Sequence, residues 1–382
     1  MTSLLIIIVL ALLAIAIWQL TKIFDLTQIG KNQNKTEETQ VANDKDNNIQ
    51  GYIMFGFLAF IYIFTIYGLL KWGPLTLGTP ASEHGSVIDN LFNVSLILIF
   101  FVQTITQFLL YFFSFKYRGK KENTAFYFAD SNKLEIVWST IPAVVLAALI
   151  GYGLFAWTDI MFVDEKTEDV MVIELYGQQF NWKARLSGKD NVLGKANVRF
   201  IEGINSTGAD PSDKYAQDDI VVTELHIPKG QKILFKMRSQ DVLHSAYMPH
   251  FRAQMNCVPG MVTQFAYKPI ITTSEMREDE KIIKKIANIN RIRIEKSKLL
   301  VAEGKTELDP YEFDYLLLCN KVCGASHYNM QMKIIVDKPA DFKDWMKAQE
   351  TFGKSIAKEK QEKDSTAISK SLTVVDNKLA VK

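Results

Sequence analysis

Hydrophobic positions along the chain follow two regimes. Up to about residue 160 they are massed in long runs; beyond it they alternate with polar residues. Residues 4–21 (LLIIIVLALLAIAIWQLT), 51–70, 92–115 and 136–157 are four such runs, each close to the roughly 20 residues a helix needs to cross a bilayer. The third is interrupted by Gln103, Thr104, Thr106 and Gln107, and the two glutamines share one helical face, which is expected to meet protein rather than lipid. The first run reads as a retained anchor rather than a leader. No Lys or Arg precedes it, and Trp18-Gln-Leu-Thr-Lys22 is a poor cleavage site. Residues 25–50 read as a solvated polar loop, and 72–91 as a loop whose His84 belongs to the surface.

Past Thr158 short segments alternate with period two: Val170–Tyr176, Ile220–His226, Lys232–Met237 and Gln331–Val336. Such strands, broken by Gly, Pro and Asp, predict a β-sandwich. Residues 273–310 depart from that pattern. Ile282, Ile286 and Ile289 recur at helical spacing among Lys, Arg and Glu, with Ser274 before Glu275 as the predicted N-cap. The tail, 347–382, is polar and rich in Lys, Glu and Ser.

Charge sets a topology for the four runs. Lys22, Lys31, Lys35 and Lys45 flank or occupy the first connection, and Lys116, Arg118, Lys120, Lys121 and Lys133 the third, whereas the second has only Lys71. The positive-inside rule places the first and third connections in the cytoplasm, and both termini and the alternating region outside. A formal net charge of +2 points to no nucleic-acid partner, and three cysteines make no disulfide scaffold. Phosphate loops and hydrolase triads are absent, and so is the Cys-x-x-Cys-His that would attach a c-type haem.

The densest chemistry lies in Cys319-Asn-Lys-Val-Cys323-Gly-Ala-Ser-His327-Tyr-Asn-Met330. Two thiols, an imidazole and a thioether in so short a stretch are the soft ligands that copper prefers. A second imidazole is available in Asp241-Val-Leu-His244-Ser245. Pairing Cys319 with Cys323 as a disulfide is the alternative outside the cell, but it leaves His244, His327 and Met330 unexplained. Cys257 reads as a small buried hydrophobe, and His226 and His250 as ordinary strand or loop residues.

This cluster resembles the binuclear copper site, Cu-A, of subunit II of the haem-copper cytochrome c oxidases. Glu135-Ile-Val-Trp138-Ser-Thr-Ile-Pro142 is similar to the start of that family's second transmembrane helix, and Gly177-Gln-Gln-Phe-Asn-Trp182 to its aromatic strand. The resemblance implies a membrane-anchored all-β protein. A family-typical hairpin at 92–158 would precede a cupredoxin-like Greek-key β-sandwich at 165–346, with extra crossings at 1–24 and 51–71 joined by a cytoplasmic loop at 25–50. Residues 273–310 would be an insertion and 347–382 a polar tail. The resemblance further implies two bridging thiolates, Cys319 and Cys323, with His244 and His327 each on one copper. Met330 and the backbone carbonyl of Lys321 would complete the ligand set. No haem is expected on this chain.

By the same resemblance the protein is subunit II of a bacterial aa3-type oxidase of the inner membrane, its copper domain periplasmic. It would take electrons from a c-type cytochrome and pass them to haem in subunit I, beside subunit III, where oxygen is reduced to water and protons are pumped. Glu135 would stand at the mouth of a proton channel. The chain departs from the family at three places. Lys321 replaces the glutamate that shares a magnesium with subunit I, so that ion is not expected to find a side-chain ligand here. Asn256 and Met261 replace an aspartate and an arginine. Phe180 stands where the family receives electrons through Trp, with Trp182 two residues on. With the insertion and the extra crossings, these departures fit an oxidase fed by a donor held against it, such as a quinol-oxidising complex with a tethered cytochrome.

Overall fold

The computed structural model describes residues 2–31, 44–124, 126–165 and 169–363, and of the first helix the side chains of Ile8–Ile23. The polar segment 32–43 and the end of the tail beyond 363 therefore lie outside the described residues. The chain divides into two units, Met1–Leu70 with Ile99–Asn132, and Lys71–Leu98 with Lys133–Lys382.

Four helices carry the apolar runs: α1 (Thr2–Lys31), α2 (Asp44–Thr76), α3 (Gly85–Lys116) and α4 (Asn132–Met161). Among the described residues α2, α3 and α4 are long and apolar enough to cross a membrane, and Ile8–Ile23 of α1 forms a shorter apolar helix. At most 6% of the apolar window of any of the three is buried, so their side chains need lipid or other helices around them. Each helix outruns its hydrophobic core, which shortens the expected loop at 72–91 to 77–84. Asp44 and Asp46 sit in the first turn of α2, where the helix dipole favours acids. Pro142 is the eleventh residue of α4; membrane helices tolerate such interior prolines because neighbouring groups satisfy the freed carbonyl.

In the first unit the start of α2 is tied to the end of α3. Arg118 donates to Asn48 at 2.6 Å, Asn47 to the Gly119 carbonyl at 3.0 Å, and the Lys121 amide to Asp44 at 3.0 Å. Phe115 packs edge-on against Tyr52 and Phe55. These contacts join the first and third connections, the two that carry the positive charge.

The second unit is a β-sandwich. Its strands are β1 (Val170–Gln178), β2 (Asn181–Leu186), β3 (Ile220–Val222), β4 (Leu225–Pro228), β5 (Lys232–Ser239), β6 (His244–Met248), β7 (Ala253–Cys257), β8 (Thr263–Tyr267), β9 (Tyr315–Cys319) and β10 (Gln331–Asp337). One sheet has the order β3-β2-β1-β5-β8, the other β4-β10-β9-β6-β7. The predicted strand 220–226 is two strands. The chain bends at Thr223-Glu224 and passes from one sheet to the other, a usual way of turning a sandwich corner. Alternation is clean in β10, where Met332, Ile334 and Val336 are buried, and the inner faces of both sheets meet over Phe235, Tyr267, Tyr315 and Leu317.

β1 is buried along both faces because residues 187–219 fold over its outside. Asn191 caps the Val172 amide and the Val170 carbonyl, while Arg185 reaches Glu174 at 2.8 Å and Asp219 at 2.9 Å. Arg238 takes the other oxygen of Glu174, so two cations and two carboxylates share one buried network. Loss of a single member would leave a charge unpaired, at a cost of about 3–5 kcal/mol.

Residues at both ends of the unit complete the sandwich. Ala81 is fully buried in the main core and Ser82 bridges to Pro269; the Ala81 amide donates to the His250 carbonyl at 2.7 Å. Arg252 grips Asp89 through two bonds, 2.6 and 2.8 Å, and also donates to the Gly78 carbonyl. Helix α7 (Pro339–Ala348) lays Phe342 and Trp345 against the core, and Phe352 is buried against Ala209 and Ala216. The polar tail is therefore packed onto the sandwich at least as far as Phe352, and the folded unit is larger than residues 165–346.

The insertion contains α5 (Thr273–Arg277) and α6 (Glu280–Ala302). Its N-cap is Thr272 instead of Ser274. The Thr272 hydroxyl accepts from the Glu275 amide and the Glu275 carboxylate accepts from the Thr272 amide, a reciprocal box that Ser274 could not close. Asp279 caps α6.

Candidate metal centre

β9 ends at Cys319, and the loop 320–330 then turns back to enter β10. The loop is held from both sides. Cys319 N donates to the Met330 carbonyl at 3.1 Å, Asn320 N to the Ser245 carbonyl at 3.0 Å, and Gln179 Nε2 to the Cys323 carbonyl at 2.5 Å. Within the loop, His327 N donates to the Gly324 carbonyl and Met330 N to the His327 carbonyl, both at 3.2 Å. Gly324 has φ +141° and lies so close to Phe180 that a Cβ would come within 2.9 Å of the ring. The second imidazole comes from the first residue of β6, whose partners are β7 and β9.

This framework brings all six expected ligands together. Cys319 Sγ lies 3.8 Å from Cys323 Sγ, 3.8 Å from His244 Nδ1 and 3.3 Å from the Lys321 carbonyl oxygen. Cys323 Sγ lies 3.6 Å from His327 Nδ1 and 3.8 Å from Met330 Sδ. Metal bonds of about 2.0–2.3 Å in tetrahedral array put neighbouring donors roughly 3.3–3.8 Å apart, so these contacts leave room for a shared ion. The chain of contacts has two ends: His244 and the Lys321 carbonyl on Cys319, and His327 and Met330 on Cys323. His244, Cys319 and Cys323 place their ligand atoms all within 4.8 Å of one another, a group able to hold a soft metal ion. A disulfide, with its sulfurs about 2.05 Å apart, is a different arrangement.

Burial and hydrogen bonding tune these donors. His244 is fully buried, and its Nε2 hydrogen-bonds Asp241 Oδ1 at 2.8 Å. Nδ1 thereby faces Cys319 with its lone pair available, the usual way a carboxylate orients a ligand imidazole. Asp241 is itself held by the amides of Gln179 and Val242. Partial burial resists ionisation of Asp241, but the amides and His244 outweigh it and keep the carboxyl below its ordinary range. Burial first, then the neighbouring Cys319 thiol, pushes Cys323 up to about 11.

The two aromatic candidates divide. Phe180 is partly exposed and covers Gly324, whereas Trp182 is only 2% exposed and lies edge-on to His244 with ring centroids 5.9 Å apart. Trp182 thus walls the site from within and presents no outer surface. Gly177 makes that packing possible, since a Cβ there would come within 3.1 Å of the His244 ring. Lys321 points its side chain to solvent, as do Asn256 and Met261. Glu135 is exposed in the first turn of α4, about 39 Å of helix from the end that enters the sandwich.

Cys257 is fully buried opposite His244 in the ladder, and burial pushes its thiol up to about 12, an inert core residue as expected. His250 is half-buried against Phe313 and Tyr315. His226 hydrogen-bonds Asp337 at 2.6 Å beneath Trp345. His84 corrects the sequence reading: it is packed near Phe265 and Tyr267, and burial lowers its pKa. Asp241 was legible as a near neighbour of His244 in sequence, whereas Trp182, expected beside the electron entry, lies buried behind His244. Gln179 and Gly177 were not legible, because their part depends on a strand of the opposite sheet.

Apolar helices leading into a β-sandwich whose loops gather thiols, imidazoles and a thioether define a membrane-anchored protein with a cupredoxin-like domain able to hold a metal. Residues 70–154 match the family model described as cytochrome c oxidase subunit II, transmembrane domain. The alternative cytochrome c oxidase subunit 2 of Bradyrhizobium diazoefficiens is 33% identical over 276 residues, which cover 72% of this chain and 84% of that protein. Cytochrome c oxidase subunit 2 of Alkalihalophilus pseudofirmus is 21% identical over 294 residues, 76% of this chain and 66% of that one. The solved periplasmic domain of cytochrome oxidase subunit II from Bradyrhizobium japonicum aligns with 47% of this chain and 93% of that domain at 16% identity and a TM-score of 0.28. This chain belongs to the cytochrome c oxidase subunit 2 family, and so to the membrane-bound haem-copper oxidoreductases.

Proposed function

We propose that this chain receives single electrons from a c-type cytochrome on the outer face of a bacterial inner membrane and delivers them to haem in subunit I. The observation that carries this reading is the convergence of six soft or neutral donors at 3.3–3.8 Å spacing. When bound, a pair of copper ions supplies one-electron redox chemistry there. Cys319 and Cys323 would bridge them, His244 and the Lys321 carbonyl would serve one, and His327 and Met330 the other. The protein's own part is to keep these donors still. Asp241 fixes the His244 ring, Gln179 ties Cys323 to the opposite sheet, and Trp182 keeps water from behind His244. A site that need not rearrange when its charge changes by one loses little rate to reorganisation.

Phe180, over the ligand loop, is the surface through which electrons arrive in this reading, with Trp182 behind it as a positioning residue. The magnesium shared with subunit I in the family has no ligand in the Lys321 side chain. Subunits I and III are the membrane partners, and α1 and α2 add lateral surface. A donor held in the same assembly, such as a quinol-oxidising complex with a tethered cytochrome, needs less long-range steering. Glu135 serves proton uptake from the opposite side of the membrane.

The test is metal analysis and electron paramagnetic resonance of the purified oxidase. Two coppers on this subunit and a seven-line mixed-valence signal are expected. A subunit that stays copper-free after reduction and reconstitution would overturn the proposal. Glu135→Gln should slow turnover while the copper signal is still reduced by the donor at the original rate; unchanged turnover removes Glu135 from the pathway.

A further inference from the structure

A second site lies where α3 and α4 meet the sandwich. A cavity of about 360 Å³ opens there, within the size range of small-ligand pockets. Its walls bring together charges of both signs: Glu83 and Asp159, and Lys232 and Lys268. Val87 from the first turn of α3, with Ala156 and Ile160 from the last turns of α4, give it an apolar side. That side continues into the exposed apolar surfaces of the two helices.

His84 makes the cavity chemically specific. Its ring hydrogen-bonds the Arg252 backbone, and Nε2, buried at the cavity wall, has no partner among the described residues. Burial holds the imidazole neutral, so with one nitrogen donating to the backbone, Nε2 is an acceptor in need of a donor. An orphaned buried acceptor beside two carboxylates selects a ligand that carries N–H groups and positive charge. The two lysines on the same wall add positive charge that suits an anion.

The level of the cavity decides where such a ligand comes from. The apolar run of α3 begins about six residues after its first residue, roughly 9 Å along the axis, which puts His84 at the depth of lipid headgroups. We propose that this cavity binds the headgroup of an aminophospholipid. The primary ammonium would donate to His84 Nε2 and lie between Glu83 and Asp159, the phosphate would meet Lys232 and Lys268, and the acyl chains would descend past Val87 and Ile160. Lys268 already pairs with Glu83 at 3.3 Å, so the ligand would join an existing ion pair.

The experiment uses the intact oxidase, stripped of lipid in detergent and titrated by native mass spectrometry with phosphatidylethanolamine, phosphatidylglycerol, phosphatidylcholine and inorganic phosphate. Phosphatidylethanolamine should bind about tenfold more tightly than phosphatidylcholine, whose trimethylammonium has no N–H to donate. Asp159→Asn should weaken phosphatidylethanolamine by a similar factor, since a charge-assisted hydrogen bond is worth about that much, and leave the copper signal unchanged. His84→Leu should erase the preference for the amine; if that variant does not assemble, Asp159→Asn alone carries the test. Equal binding of the three lipids, or no response to Asp159→Asn, would overturn the proposal. So would inorganic phosphate displacing the lipid at comparable concentration, or a neighbouring oxidase subunit cross-linking through the cavity.

Discussion

β9 has an irregular connection at each end, and the two could hardly be less alike. Before it come residues 273–310, with α5 and α6; after it comes the ligand loop, 320–330. The first connection is long, strongly charged and tied down at scattered points. Asn290 pairs with the backbone of Tyr311, Ser297 receives the Leu308 amide, and Arg277 bonds Asp314, while Ile283, Ile292, Ile294, Leu299 and Val301 remain exposed. The second is less than a third as long, and its donors are fixed by residues from both sheets. Chain length is inexpensive in a surface connection, because closure entropy grows only with the logarithm of length. Donor position is not, because a metal site misplaced by a fraction of an ångström loses its ligands' overlap.

The sharpest way to break this contrast is to remove one bridging thiol. Cys323→Ser should abolish the two-copper centre, since it deletes the one donor that links Cys319 to His327 and Met330. Copper content should fall to one ion or none per subunit and the mixed-valence signal should vanish. Retention of both would mean the thiols do not bridge.

Asp241→Asn asks how much of the site's rigidity comes from outside the ligand loop. The amide keeps one acceptor oxygen where Asp241 uses two, so it can serve either the Gln179 amide or the Val242 amide and His244 Nε2, and it accepts more weakly. Copper affinity should fall by about 10–100-fold, the usual cost of losing a carboxylate behind a ligand imidazole. A chelator competition titration measures it, and an affinity within a factor of two of the parent would show that the loop alone orients His244.

His250 probes the grip of the insertion on the core. Burial, then Lys285 of α6 and Arg252, lower its pKa to about 4. A depressed histidine contributes stability that is present above its ordinary pKa of about 6.5 and lost as pH falls through about 4. The contribution is at most about 3 kcal/mol, at 1.36 kcal/mol per unit. Thermal melts of the oxidase followed at this subunit should therefore lose stability between about pH 6.5 and pH 4, and His250→Phe should flatten that limb. Identical limbs in both proteins would place the acid sensitivity elsewhere.

The smallest effect belongs to the insertion itself. Replacing residues 284–306 by a short Gly-Ser linker spares the buried Met276 and Ile282, though not the partly buried Ile286, and should leave copper binding intact. Turnover with the native donor should drop if α6 docks it. Equal turnover would make α6 a neutral addition. Excising all of 273–310 is a different experiment, because it also removes buried core.

The apolar runs, the helical character of 273–310 and the side chains of five of the six proposed donors were readable from the chain alone. A run of about 20 apolar residues has few other uses, and Cys, His and Met at those spacings offer chemistry that no structural role requires. The sixth donor, a backbone carbonyl, could be named only through family resemblance, because a carbonyl leaves no mark in sequence. Local pattern misled where the decision was not local. Ile220–His226 alternates as one strand, yet two sheets had to be joined and the bend falls inside it. Ser274 is a good cap by type, but only Thr272 has a glutamate three residues on to close the box. His84 looked like loop surface because nothing near it in sequence says that Phe265, Tyr267 and Arg252 will fold over it. Gly177 and Gln179 carry no signal of their own; their part in the site exists only once β1 lies across from β6 and the ligand loop. Side-chain chemistry and hydrophobic period are properties of a segment. Which segments share a surface depends on the packing of the two sheets, and that packing sets the 3.3–3.8 Å spacing of the donors.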